Sequence, residues 1–130
     1  MSMFTRLTLM TLLSLLMAEL SFAAKKQTQA LRVTATAYNS VPGQTDATPD
    51  IAAWGDRLTP NMKAIAVSRD LLHEYGLKRN SVVRISGLPG EYRVLDKMNS
   101  RWSRKIDIFM GKDQRRARSW GRRNVTIQWK

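Results

Sequence analysis

Short stretches of alternating apolar and polar residues occupy most of the chain after residue 30. A period of two is typical of β-strands, because successive side chains point to opposite faces of a sheet. In residues 31–38, small apolar residues alternate with Thr and Tyr, which favour strands. Residues 64–67 are apolar throughout and predict a short buried strand. The six predicted strands are 31–38, 64–67, 81–86, 91–96, 104–110 and 124–129.

The segments between these strands predict two short helices and one long loop. The helices are expected within 68–76 and 112–121, with Ser68 as a possible N-cap and Gly76 as a stop. Residues 39–61 are rich in Pro, Gly, Asp and Asn, which is typical of a loop. A loop of that length in a small domain is usually functional. Six short strands with one or two short helices predict an all-β fold, a small β-barrel.

The N-terminal segment has the layout of a secretory signal peptide. Arg6 precedes an apolar run over 7–17, and small residues end at Ala23. The run is shorter than a membrane span requires, and Glu19 interrupts its end, although an uncleaved anchor is the alternative. The predicted division is a signal peptide over 1–23, a polar leader over 24–30 and one folded domain over 31–130.

Charge and location together restrict the expected partners. The chain has 22 Lys and Arg against 10 Asp and Glu, a formal net charge of +12. Removing 1–23 takes away one base and one acid, so this charge stays with the exported domain. We expect a protein of the periplasm, associated with the outer membrane or secreted, that binds anionic cell-envelope polymers such as peptidoglycan. Nucleic acid, the usual partner of so basic a cytoplasmic domain, is not expected after export.

The absence of cysteine excludes disulfides, so the core must stabilise the fold. With His73 as the single histidine, a zinc site is not expected either.

Two carboxylates, Asp96 and Asp107, stand in an otherwise cationic segment near the C-terminus. Asp107 alternates with apolar residues in strand 104–110, so its side chain leaves the apolar face, toward a groove. Cleavage of a glycosidic bond requires a carboxylic acid that keeps its proton near neutral pH. Burial and a second carboxylate would raise the pKa of Asp107, whereas Arg104 and Lys105 would lower it. The alternative is an ordinary surface ion pair.

Several of these segments together resemble a known family, the 3D domain. The segments are "VTATAYNS" at 33–40, "AAWG" at 52–55, "AIAV" at 64–67, and Asp96 followed eleven positions later by Asp107 in "IDIFMG". The family is named for three aspartates and occurs in the membrane-bound lytic transglycosylase A group and in stationary-phase muralytic proteins. The resemblance extends from Val33 to Trp129, and its late part is the most specific.

The resemblance implies a six-stranded double-psi β-barrel of the RlpA-like type. It implies cleavage of the peptidoglycan glycan strand without water, leaving a 1,6-anhydro sugar and needing no cofactor. Asp107 would be the acid and base, and Asp96 its partner. Ser68 occupies the position of the third family aspartate, 97–103 replaces a Gly-Gly turn, and Asp46 could stand in for the missing acid. The alternative function is a non-catalytic peptidoglycan-binding module.

Aromatic and hydrogen-bonding residues around the two acids are the candidate substrate contacts. Trp102 lies between the acids in sequence and has a flat apolar face suited to a sugar ring, as does Trp54, for which core packing is the alternative. Turn formation is the alternative for Asp96, Asp46 and Asn99. The predicted substrate-binding residues are Asp46, Tyr38, Asn99, Arg101, Trp102 and Arg104.

The densest run of bases lies between Arg115 and Arg123. It predicts either a solvated face or a surface that holds an anionic wall polymer.

Overall fold

The structure is a computed structural model that describes residues 27–41 and 50–130. The predicted signal peptide and Asp46 lie outside the described residues. The strands are β1 Gln29–Tyr38, β2 Ala64–Val67, β3 Val82–Ile85, β4 Tyr92–Lys97, β5 Lys105–Phe109 and β6 Arg123–Trp129. The helices described are α1 Arg69–His73 and α2 Gln114–Trp120. All six predicted strands and both predicted helices are confirmed, with ends shifted by a few residues.

The six strands form a closed barrel in the order β1-β5-β2-β4-β3-β6. The pairs β1–β5 and β2–β4 are parallel. The pairs β2–β5, β3–β4 and β3–β6 are antiparallel. The prediction of a small, mostly β barrel is therefore confirmed. Among the six described strands, closure leaves no unpaired edge.

Branched aliphatic side chains fill the barrel interior. Residues such as Ile65, Ile106 and Ile108 are fully buried there. Trp120 and Trp129 are also buried in this cluster. The indole N–H of Trp120 donates to the Ala35 carbonyl at 3.2 Å. Helix α2 is thereby attached to β1.

A second, smaller apolar cluster lies on the outer face of the barrel. The buried members are Ala52, Leu58, Ala64, Leu95 and Phe109, with Tyr38 and Met62 packed against them. Ala52 and Leu58 belong to the predicted loop and Met62 directly follows it, so residues 50–62 form a covering loop on the outside of the strands. Phe109 is buried under it, while its neighbours in β5 face the interior. The loop is therefore part of the folded body.

Ser68 occupies the N-cap position of α1, but its side chain does not cap the helix. The predicted N-cap position is confirmed, but the Ser68 hydroxyl accepts the Lys105 N–H at 3.0 Å rather than a helix N–H. The Ser68 N–H donates in turn to the Lys105 carbonyl at 2.8 Å. Ser68 therefore joins the end of β2 to the start of β5. Helix α1 ends at His73, three residues before Gly76.

Within the described residues, the search for a helix long and apolar enough to cross a membrane found none.

Candidate functional site

Four residues on four adjacent strands form one row on the outer face of the barrel. Asp107 of β5 lies opposite Thr36 of β1 on one side and Ala66 of β2 on the other. Ala66 lies in turn opposite Asp96 of β4. Paired residues of neighbouring strands share a face, so both carboxylates flank the methyl group of Ala66. Their Cα atoms are two strand spacings apart, about 9–10 Å.

Asp96 reaches this face because β4 contains a bulge. Ile65 pairs with Val94, but the next residue of β2, Ala66, pairs with Asp96, so Leu95 is an extra residue. With uninterrupted alternation, Asp96 would share the inward face of Val94. The bulge moves Asp96 to the outer face, where Leu95 is also buried. The proximity of the two acids therefore depends on one inserted residue.

Asp107 is half-buried, and its Oδ1 accepts the Thr36 hydroxyl at 3.0 Å. Burial raises the pKa of its carboxyl above the ordinary value of 3.8, and the charge of Asp96 raises it further. The Thr36 hydrogen bond and the Lys105 ammonium oppose this rise without cancelling it. The effect of burial on the pKa of Asp107 is thus larger than the effect of Lys105. The sequence alone did not decide between the two. The pKa of Asp107 is therefore shifted in the direction that a proton donor requires.

This pKa predicts the sign of a stability change. Asp107→Asn removes a charge that burial disfavours, so we expect the variant to unfold at a higher temperature than the parent at pH 7. Because the folded-state pKa is raised, the parent loses stability as pH rises from about 3.8 through the folded-state pKa. The gain of the variant should be absent near pH 3, grow across that window and stay constant above it.

Thermal unfolding of parent and variant between pH 3 and pH 8 measures this difference. Glu91→Gln, at an exposed position, is the control for loss of one negative charge. If Asp107→Asn were less stable than the parent at pH 7, attraction between Asp107 and Lys105 would outweigh burial, contrary to this interpretation.

Asp96 connects the row to the covering loop. Its Oδ1 accepts the Ala53 N–H at 2.7 Å and the Lys97 N–H at 3.0 Å. The Tyr38 hydroxyl is buried beside Asp96, and a hydrogen bond to that carboxylate is among the causes that raise the pKa of Tyr38. The pKa of Tyr38 is raised, first by burial and then by the charges of Asp96 and Asp107. Tyr38 therefore keeps its proton at neutral pH and is a hydrogen-bond donor beside both acids.

Lys105 lies next to Asp107, and Trp102 lies next to Lys105. The Lys105 ammonium lies 3.6 Å from the centroid of the Trp102 ring, and the Arg101 guanidinium carbon lies 5.0 Å from it. Lys105 and Asp107 share the outer face of β5. Burial lowers the pKa of Lys105, as do the charges of Arg122 and Arg101, while Asp107 raises it. One face of the Trp102 ring is thus in contact with a cation.

Asn99 and Arg104 form hydrogen bonds that stabilise the connection between β4 and β5. The Asn99 side chain accepts the Arg101 N–H at 3.1 Å, which is the turn role considered as its alternative. The Arg104 N–H donates to Asp70 at 2.9 Å, and its Nε donates to the Tyr75 hydroxyl at 3.0 Å. Arg104 therefore lies against α1 and Tyr75.

The basic run at the C-terminal end is exposed. Its members are Arg115, Arg116, Arg118, Arg122 and Arg123. Arg123 is held by its Nε bond to the Trp120 carbonyl at 2.9 Å and by its position over the Trp120 ring. Arg122 contributes to the charge around Lys105, so the C-terminal end of the run lies close to Asp107.

Among the described residues, no group of three or more His, Cys, Asp or Glu side chains could hold a metal ion. A comparison with family models found no match to this chain, and a search of curated proteins found no similar sequence. The chemistry of the site must therefore be argued from its geometry.

Three of the predicted site residues, Tyr38, Asp96 and Asp107, are brought together by the barrel. Sequence reasoning missed Thr36 and Ala66 as members of the same row. Alternation in residues 31–38 does place Thr36 on one face, but only strand pairing shows that this face meets Asp107. No sequence signal distinguishes Ala66 from the other small core residues.

Proposed function

We propose that this protein cleaves the glycan strands of peptidoglycan as a lytic transglycosylase, with Asp107 as its acid and base. The observation that supports this most is the half-buried Asp107, with its raised pKa, in one row with Asp96. A carboxylic acid that retains its proton beside a second carboxylate is the arrangement used to break glycosidic bonds.

The reaction proposed has two proton transfers. Protonated Asp107 donates its proton to the glycosidic oxygen, and the bond from that oxygen to the anomeric carbon of the muramic acid breaks. The Asp107 carboxylate then accepts the proton of the muramic 6-hydroxyl while that oxygen bonds to the anomeric carbon. The products are a shortened glycan and a 1,6-anhydro sugar, and Asp107 is protonated again. Asp96 would support positive charge at the sugar ring during both steps.

Tyr38, Trp102 and Arg101 are proposed to contact the sugars around the cleaved bond. Tyr38 offers a buried hydroxyl donor, and Trp102 offers the part of its ring that Lys105 does not cover. The positive side chains along the outer face would attract the anionic wall polymer before binding. This proposal includes export to the cell envelope.

We infer that the barrel is of the double-psi type. Two parallel pairs, β1–β5 and β2–β4, are each formed by strands that are not consecutive in the chain. Such crossing connections support this topology, which the sequence resemblance also implies.

One observation favours a second function, a non-catalytic peptidoglycan-binding module. Ser68 stands where the resembled family has its third aspartate, and its hydroxyl is already occupied by the Lys105 N–H. Lys105 also lowers the pKa of Asp107, although burial outweighs it. The row would then offer Asp96, Asp107 and Tyr38 as hydrogen-bonding groups for sugars without breaking a bond.

Mass analysis of purified sacculi after incubation with the protein separates these functions. We expect soluble anhydro-muropeptides, because the 6-hydroxyl of the sugar replaces water as the nucleophile. Products with reducing ends would contradict the transglycosylase proposal and indicate a hydrolase. Sacculi that bind the protein but remain intact would support the binding module. Heat-denatured protein is the control for contaminating activity.

A further inference from the structure

A concavity lies at the end of β4, between α1 and the covering loop of residues 50–62. Its volume is about 440 Å³. That volume lies within the range of small-molecule sites, roughly 300–1,000 Å³. Its lining includes Trp54, Arg69, Leu72, His73, Lys78 and Lys97. We call this concavity the Trp54 groove.

The charge of the Trp54 groove is positive. Four bases and one histidine line it, and none of the described residues in its lining is an acid. Arg79 is neutralised by two hydrogen bonds to Asp56. Arg69 uses its Nε on the Met98 carbonyl at 3.1 Å, and its two terminal nitrogens donate to no described group. With Lys78 and Lys97, the groove therefore offers three bases for a negatively charged ligand.

The base of the groove is apolar. Trp54 and Leu72 are half-buried and pack against the main core. The Lys97 ammonium lies over the Trp54 ring, 5.6 Å from its centroid, so the groove presents a base and an aromatic ring together. A ligand that fits this combination has a flat face of C–H groups and an adjacent oxyanion. We propose that the Trp54 groove binds a sugar bearing a carboxylate or a phosphate.

The Trp54 groove adjoins the acid row. The Ala53 N–H donates to Asp96 at 2.7 Å, and the residues that follow these two, Trp54 and Lys97, line the groove. A glycan lying across the row would place its next anionic substituent in the groove. This continuity rests on the proposed function, whereas binding of a free anionic sugar does not.

His73 makes the test direct, because it is the only histidine in the chain and lines the groove. Its ring resonances can be followed by NMR during titration at constant pH and ionic strength. The probes are N-acetylmuramic acid for a carboxylate and glucose 6-phosphate for a phosphate, up to on the order of 10 mM. Neutral N-acetylglucosamine and inorganic phosphate are the comparison ligands.

We expect a saturable shift of the His73 resonances with at least one anionic sugar, and the stronger of the two identifies the oxyanion. Arg69→Gln and Lys97→Gln should each weaken binding about five- to tenfold, because each removes a charge-assisted contact. Lys78→Gln should weaken binding in the same way. The Lys78 side chain is exposed and forms no hydrogen bond with another described residue, so this variant removes a charge without breaking a structural contact. Arg118→Gln, on the exposed face of α2, should leave the affinity unchanged.

No shift with either anionic sugar would overturn the proposal, as would an equal shift with neutral N-acetylglucosamine. Inorganic phosphate binding as tightly as the sugar phosphate would overturn the role assigned to Trp54. Repeating the titration with Asp107→Asn separates the two proposals. If Asp107→Asn binds the anionic sugar with the parental affinity, the groove binds independently of cleavage. If the variant loses this affinity, the proposal of an independent groove is contradicted.

Discussion

Asp107→Asn should lower the rate of anhydro-muropeptide release by about 10²–10⁴-fold, the usual contribution of a general acid and base. The amide keeps the shape of the side chain and can still accept the Thr36 hydroxyl, but it cannot donate and recover a proton. Because we expect this variant to be more stable than the parent at pH 7, unfolding would not explain the loss. Release from one sacculus preparation, compared at equal protein concentration, measures the effect.

Two further variants make the comparison specific. Asp96→Asn should lose less activity, because an amide oxygen can still accept the Ala53 N–H and no proton transfer is assigned to this position. Glu91→Gln should retain the parental rate. A folded Asp107→Asn protein that releases anhydro-muropeptides as fast as the parent would contradict the assignment of Asp107.

Gly111→Ala should reduce the free energy of unfolding by roughly 2–5 kcal/mol. Gly111 is buried after β5 with φ of 57°, where a side chain costs about 1–2 kcal/mol. A Cβ atom there would also overlap the Pro60 carbonyl, and such overpacking typically costs about 1–3 kcal/mol. Relief of the overlap would displace Pro60 and with it the loop that carries Ala53 to Asp96.

Chemical denaturation of Gly111→Ala beside Gly76→Ala isolates the overlap. Gly76 also has a positive φ, 79°, but a Cβ there would meet nothing within 4 Å. Gly76→Ala should therefore lose only the conformational part, about 1–2 kcal/mol. Equal losses in the two variants would mean that Pro60 yields freely and that the loop is not closely packed on the barrel.

Local patterns were sufficient to predict the elements of this fold. Alternation of apolar and polar residues predicted five of the six strands, and a short apolar run predicted β2. The same alternation placed Asp107 on the outer face of β5, where the structure has it. The inward residues Ile106 and Ile108 are fully buried, so a shift of register by one residue would bury the carboxylate instead.

Two details of the site could not be read from local patterns. Period-two alternation from Val94 would place Asp96 in the interior, and only the pairing of β4 with β2 reveals the extra residue Leu95. Ser68 was predicted as an N-cap, and it occupies that position. The partner of its side chain could not be predicted, because that partner is distant in sequence. In the fold, its hydroxyl meets the Lys105 N–H, 37 positions away.

The sequence by itself determined the strands, the helices and the outward position of Asp107, because each follows from the chemistry of neighbouring residues. Only the tertiary structure decided that Thr36, Ala66 and Asp96 share a row with Asp107, because these residues come from four strands that pair without regard to chain order. The tertiary structure also decided that the pKa of the Asp107 carboxyl is raised, because the effect of burial exceeds the effects of Thr36 and Lys105. Burial of Asp107 depends on the pairing of β5 with β1 and β2, and this packing is a property of contacts between distant parts of the chain.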